Sequence, residues 1–316
     1  MDVEIYWGLP VIAYLFLAGV GAGAATVSAS VLLRGGAGGF GGGHFSLARY
    51  GALIGPFPVI IGTSMIVFEL GRMDRFINLF KVLNLSPMNI GSWLLLLFIA
   101  ISLLYAATFV LPSAHRGDRL EPLRVATAWL CVPLGIGVAI YTGVMLGAMP
   151  SRPFWNSPIL ALLFLISALS TGVAVIILTQ SLLHRRSEDA FHEAEFHERS
   201  YLLTASDLML IGFEIIVIFL FLMFAHLTIG SVKVAVSIIL PGGELAPMFW
   251  LWVVLIGLLL PALVELFFVL PKLLYHRPYS APRLVEIAVP SMVLVGGFML
   301  RYIVVVAGQV TGPVGI

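Results

Sequence analysis

Charge is what this chain has least of. Only 10% of its 316 residues are Asp, Glu, Lys or Arg, while 60% are hydrophobic and the mean hydropathy is +1.07. Soluble domains carry roughly 25% charged residues, so a water-facing surface cannot be built from this composition and a soluble globular protein is excluded. The formal charge of +1 supplies no electrostatic reason to expect nucleic acid or an acidic substrate. Cysteine is almost missing too. Cys131 stands alone in an apolar segment, so the chain by itself can neither close a disulfide nor ligate an iron-sulfur cluster, and any such cluster belongs to a partner. The first eight residues hold Asp2 and Glu4 but no Lys or Arg. That is unlike the basic start of a secretory signal, and the first apolar run is expected to stay in the mature protein.

Long apolar runs are abundant. They recur along nearly the whole length, and each run of about 18 residues or more is long enough to cross a hydrocarbon core as a helix. Spans are expected over Leu9 to Leu33, Gly51 to Leu70, Ile90 to Leu111, Arg124 to Met149, Ser157 to Leu183, Leu202 to Ile229, Met248 to Leu270 and Val285 to Ala307. A transmembrane barrel would alternate apolar and polar residues, and runs such as LLLLFIAISLL do not alternate. The expected fold class is therefore an all-α integral membrane protein, a single polytopic domain over 1–316, with about eight transmembrane helices packed as two four-helix bundles.

The stretches between spans are short. His184 to Arg199 is the longest hydrophilic one, and its mixed charges read as a solvated loop or surface helix rather than a metal site, despite His192 and His197. Gly35 to Gly43 reads as a flexible turn, and the semi-apolar Gly230 to Pro247 as a segment at the membrane interface. With eight spans, the odd-numbered loops hold 11 Lys and Arg, whereas the even-numbered loops and the termini hold 6. The richer side is expected to be cytoplasmic. This places the chain in a bacterial or archaeal inner membrane with both termini outside.

Three of the outside charges, Arg72, Arg75 and Lys81, fall in one segment. There FELGRMDRF closes the second span, so Glu69, Arg72, Asp74 and Arg75 follow directly on twenty apolar residues. Ionisable groups at that depth are expensive unless paired or hydrated. They read either as an interfacial anchor or as a polar pocket that binds a redox molecule and exchanges protons. Tyr141 in YTGVMLGAMPSRPFW lies about 12 Å below Met149 at 1.5 Å per residue, too deep for an aromatic belt and suited to a hydrogen bond inside the bundle or to a ligand carbonyl. Arg152 and Trp155 follow just beyond. Arg301 in GGFMLRYIVVVAGQ is expected to face the bundle interior or snorkel outward. Towards the other side, Asp207 and Glu214 lie seven residues apart and share a helix face, with Glu265 on the next span. They read as a proton relay or as neutral packing residues.

Two motifs point nowhere. Gly19, Gly21 and Ala24 fit a dinucleotide-binding pattern, but inside an unbroken apolar helix they read as small residues for close helix contact. A bis-histidine haem needs two imidazoles facing each other within the bundle, and only His226 lies clearly inside a span, so no haem is expected.

Four stretches together resemble the NrfD-like family of membrane subunits, typified by polysulfide reductase. They are AYLFLAGVGAGA, ELGRMDRFINLFKVLNLSPMNIGSW, YTGVMLGAMPSRPFWNSPILALLFLISALSTG and GGFMLRYIVVVAGQ. The resemblance implies an eight-helix, haem-free subunit that oxidises a quinol or reduces a quinone, menaquinone or ubiquinone, near one membrane face. Electrons would pass to or from a four-cluster ferredoxin-like iron-sulfur subunit, commonly joined to a molybdopterin catalytic subunit. It implies quinone-contacting roles for Tyr141, Glu69, Asp74 and Arg75. Arg72, Tyr14, Asn89, Ser92 and His226 are further candidates, and Arg152 and Arg301 are candidates for partner docking. The chain departs from the family in its glycine-rich first loop, on the face opposite the motif. The alternative of another class is a transporter or ion-conducting subunit that uses the intramembrane carboxylates.

Overall fold

A computed structural model describes residues 7–38, 43–69, 78–81, 86–111, 119–183, 190–228, 230–276 and 279–312. Every regular element among them is helical. Eight helices are long and apolar enough to cross a membrane: Leu9–Arg34, Phe45–Phe68, Pro87–Val110, Glu121–Gly147, Ile159–Leu183, Phe196–Leu227, Ala246–Tyr275 and Arg283–Val310. These are called the first to eighth spans, and the chain is a multi-pass membrane protein. Eight crossings bring both ends of the chain to one side, the termini face.

Most spans fall where hydropathy places them, and three differences have local causes. The second span begins six residues earlier than Gly51, because a helix over Gly43–Ile54 precedes the helix over Pro56–Glu69. His44 and Arg49 mask its apolar face in a simple hydropathy reading. The two pieces meet at Gly55, since proline disfavours the helical region for the residue before it. The sixth span continues a longer helix, Ala190–Leu227, whose first turns carry the charged segment. In the seventh span, Phe249–Leu259 is wound as a π-helix that closes with Leu260 N–H donating to the Leu255 carbonyl. Pro261 follows at once and has no N–H with which to continue a regular ladder.

Lipid tails are as apolar as leucine, so helices in a membrane associate through close backbone packing more than through hydrophobic burial. The first span shows this along its small residues. Gly21 meets Gly55 and Val59 of the second span, while Gly23 lies against Ala168 and Gly172 of the fifth. Gly257 and Gly296 bring the seventh and eighth spans into backbone contact with no room for a side chain. The first span packs against the second, fourth and fifth; the fifth also contacts the fourth, sixth and eighth; and the eighth contacts the seventh and the first.

At the termini face a clasp joins the start of the first span to the end of the eighth. The Gln309 amide accepts from Trp7 N at 2.8 Å and donates to Trp7 O at 3.2 Å. The Trp155 indole stacks on Trp7 with centroids 5.3 Å apart and donates to the Val304 carbonyl at 2.7 Å. Gly308 leaves the space in which the indole sits.

Candidate functional site

Among the polar groups buried in the apolar bundle, one lies near the termini face and another deeper. The first is built on the ends of the first, third and fourth spans. Tyr141 lies six residues before Gly147, about 9 Å below the end of its helix, and is 8% exposed. Its ring rests on the backbone of Gly91 in the third span. Its hydroxyl donates to Met145 Sδ at 3.6 Å, and a thioether is a weak acceptor. That leaves the hydroxyl able to exchange this partner for a stronger one. Buried Tyr14 lies within electrostatic reach of Tyr141. Val59, Leu95, Phe98 and Val138 pack with it in one apolar cluster, against which Met145 also rests.

Ser86 caps the third span by accepting from Asn89 N at 3.3 Å, and the Asn89 side chain is buried. Ser92 is half-buried, and its hydroxyl donates to its own helix at the Met88 carbonyl, 2.8 Å away. Glu69 is described only as the last helical residue of its span, and Arg72, Asp74 and Arg75 lie outside the described residues. His226 does not join this group. It is exposed on the sixth span, while its neighbour Ala225 is the residue that packs inward.

The deeper group centres on Arg301. Expected among the docking residues, it is instead fully buried between the first, fifth and eighth spans and cannot meet a partner protein. A guanidinium has five donors, and those on Nε and Nη1 bind interior acceptors. Nε donates to the Leu15 carbonyl at 3.2 Å, and Nη1 donates to the Gly297 carbonyl at 2.8 Å and to Ser167 Oγ at 3.1 Å. Phe16 and Phe164 flank the cation, with ring centroids 5.7 and 5.4 Å away. Gly19 leaves room for Nη2, which gives the first glycine of the dinucleotide-like pattern its role. Arg152, by contrast, is half-buried, and its Nη1 donates to the Gln309 carbonyl at 2.8 Å.

From Arg301 the polar groups continue towards the opposite face. Beside Ser167 lies buried Glu214, within electrostatic reach of Arg301. One turn along the fifth span, Ser170 Oγ donates to Asp207 Oδ1 at 2.9 Å. Two serines three residues apart thus lie beside two carboxyls seven residues apart on the antiparallel sixth span. Glu265 of the seventh span lies beside Asp207 within hydrogen-bonding range. Sequence reasoning misses Ser167 and Ser170, whose signal is their i, i+3 spacing in an apolar helix. It also misses Gly91, which without a side chain gives no signal at all.

A phenol hydroxyl on a weak acceptor can donate to a better one, and neighbouring buried carboxyls can exchange protons; two kinds of comparison say which proteins the chain is similar to. The family model described as "Polysulphide reductase, NrfD" matches residues 1–313. The protein named NrfD from Escherichia coli (strain K12) is 31% identical, with 98% of this chain and 96% of that one covered. The C subunit of polysulfide reductase from Wolinella succinogenes is 29% identical over 96% of this chain and 95% of its own. A protein named NrfD homolog from Haemophilus influenzae is 26% identical over 98% and 96%. Matched from end to end by that model and by these relatives, the chain belongs to the NrfD family.

Proposed function

We propose that the chain is the quinone-reactive membrane subunit of a respiratory oxidoreductase, exchanging electrons with a docked iron-sulfur subunit. The observation that carries this reading is Tyr141, a buried phenol whose hydroxyl donates to a thioether, within reach of Tyr14 and the apolar cluster in which Tyr14 packs. A quinone needs an apolar slot for its tail and polar groups at its carbonyls. Its two oxygens gain or lose protons as the ring is reduced or oxidised. Tyr141 would donate a hydrogen bond to one carbonyl, with Tyr14, Asn89 and the Glu69 to Arg75 segment around the ring.

The Wolinella relative is named as one lettered subunit of a polysulfide reductase, which supports membership of a multi-subunit redox complex. A four-cluster ferredoxin-like protein suits the electron path, because a lone buried cysteine cannot ligate a cluster. A molybdopterin subunit would hold the terminal chemistry. The partner would dock on the termini face, near the quinone and the turn that carries Arg152, and the count of basic residues puts that face outside. The buried sequence Arg301, Ser167, Glu214, Asp207 and Glu265 supports proton movement between the other face and the quinone.

Copurification tests the reading. A tagged chain isolated from its native membrane should bring with it a protein containing iron and labile sulfide, and quinol should exchange electrons with that cluster. A stable single-chain protein that moves an ion or solute without a redox partner would instead make it a transporter.

A further inference from the structure

At the face opposite the termini, a small pocket with room for about one water opens between the fifth, sixth, seventh and eighth spans. Thr204, Glu265, Phe268, Tyr279, Glu286 and Pro290 line it. Its mouth is held by Tyr279, whose hydroxyl lies 3.2 Å from Thr204 Oγ1 and whose ring packs on Tyr201 with centroids 5.8 Å apart. Beside it, the Lys272 ammonium lies 4.1 Å over the Tyr201 ring and 3.8 Å from a Glu198 carboxylate oxygen. Glu286 occupies the first turn of the eighth span on the pocket wall. At the floor Glu265 is 3% exposed, and no donor among the described residues reaches its Oε2 or the Oδ2 of neighbouring Asp207.

Two carboxylates side by side, each with one oxygen that no donor among the described residues reaches, repel each other in a low dielectric, and an unsatisfied buried charge is costly. One proton held between them removes both problems, because the protonated acid donates to the ionised one. A metal cation would require a cage of about six oxygens. We propose that the pocket is a proton port: water in it delivers a proton to Glu265, which shares it with Asp207, so that the pair holds one proton and a net charge of −1. The groups facing the pair are Glu286 and Tyr279 on the port side, and Glu214 beyond Asp207 on the Arg301 side. Burial pushes the Tyr279 phenol up to about 12, so it is a neutral hydroxyl at the mouth. The proposal rests on the quinone reading only for the proton's destination, because loading of the pair requires no quinone.

Dicyclohexylcarbodiimide, which reacts with protonated carboxyls in apolar surroundings, tests the pair in the full-length protein. Peptide mass spectrometry near neutral pH should find the adduct on Glu265 or Asp207 and not on exposed Glu244, which a water-soluble carbodiimide should modify instead. In Glu265→Gln the adduct on Asp207 should fall about tenfold or more, because the amide now donates to an ionised Asp207; tenfold corresponds to about 1.4 kcal/mol. Undiminished labelling of Asp207 in that variant overturns the shared proton, and protection of the parent by millimolar sodium makes the occupant a metal cation instead. Access is read separately through Val289→Cys on the pocket wall, against a background in which Cys131 is buried. A small hydrophilic methanethiosulfonate added at that face should modify Cys at 289. No modification there means that no water reaches the pocket, which overturns the port. Either failure with quinone turnover intact removes this proposal and leaves the function reading standing.

Discussion

The ring of Tyr141 lies directly over the backbone of Gly91, in the space that any side chain at position 91 would occupy. Overpacking of a close-packed interior costs about 1–3 kcal/mol or forces the neighbour to move. Gly91→Ala should therefore displace the phenol and reproduce the kinetic defect of a Tyr141 variant without touching Tyr141. The measurement is quinol-coupled turnover in the assembled complex, with subunit stoichiometry as the control. Normal turnover in Gly91→Ala would show that the position of the ring is irrelevant to the reaction.

Arg301 is held by the Leu15 and Gly297 carbonyls and by Ser167. Removing one partner from a buried charged network typically costs about 3–5 kcal/mol. Arg301→Leu should sharply lower the thermal stability of the purified protein. Arg301→Lys should rescue little, because a single ammonium cannot reproduce the guanidinium fork that meets all three acceptors. A variant with parental melting would place these hydrogen bonds among the dispensable ones.

Glu214 lies near Ser167 and Arg301, between the Asp207 and Glu265 pair and the quinone end. Glu214→Gln keeps the shape and loses the titratable group. In reconstituted complex it should reduce charge translocation more than electron transfer, since each elementary charge moved across about 100 mV exchanges about 2.3 kcal/mol with the membrane potential. A proton-to-electron ratio equal to the parent's would make Glu214 a packing residue.

The clasp at the chain ends is a purely structural feature on this account. Trp155→Phe keeps an aromatic ring beside Trp7 but loses the 2.7 Å hydrogen bond to Val304. Hydrogen bonds inside membrane proteins contribute about 0.6 kcal/mol on average and up to about 1.7. The variant should melt slightly lower and keep the parental affinity for quinone. A large loss of quinone turnover with normal stability would move Trp155 into the redox site.

The eight crossings are legible in the sequence because each is a long apolar run, and the shared helix face of Asp207 and Glu214 follows from their two-turn spacing. The early start of the second span is hidden because His44 and Arg49 interrupt the apolar pattern. The sequence leaves Arg301 either facing the bundle interior or snorkelling outward, because it gives depth but not direction. Only the fold shows that Gly19 and Gly297 leave a chamber for its side chain. The same limit hides Gly91, whose contribution is the absence of atoms, and Ser167 and Ser170, whose partners lie on another helix.

The central claim is that the Tyr141 hydroxyl contacts quinone, and Tyr141→Phe tests it most directly. The substitution removes one oxygen, leaves the ring over Gly91 and loses only a weak bond to Met145. Assembly should therefore be normal, while quinol-coupled turnover should fall by about tenfold or more, the effect of one lost hydrogen bond of about 1.4 kcal/mol. Electron transfer within the iron-sulfur partner, driven by an artificial donor, should be unchanged. Parental quinone kinetics in a correctly assembled Tyr141→Phe complex would contradict the account.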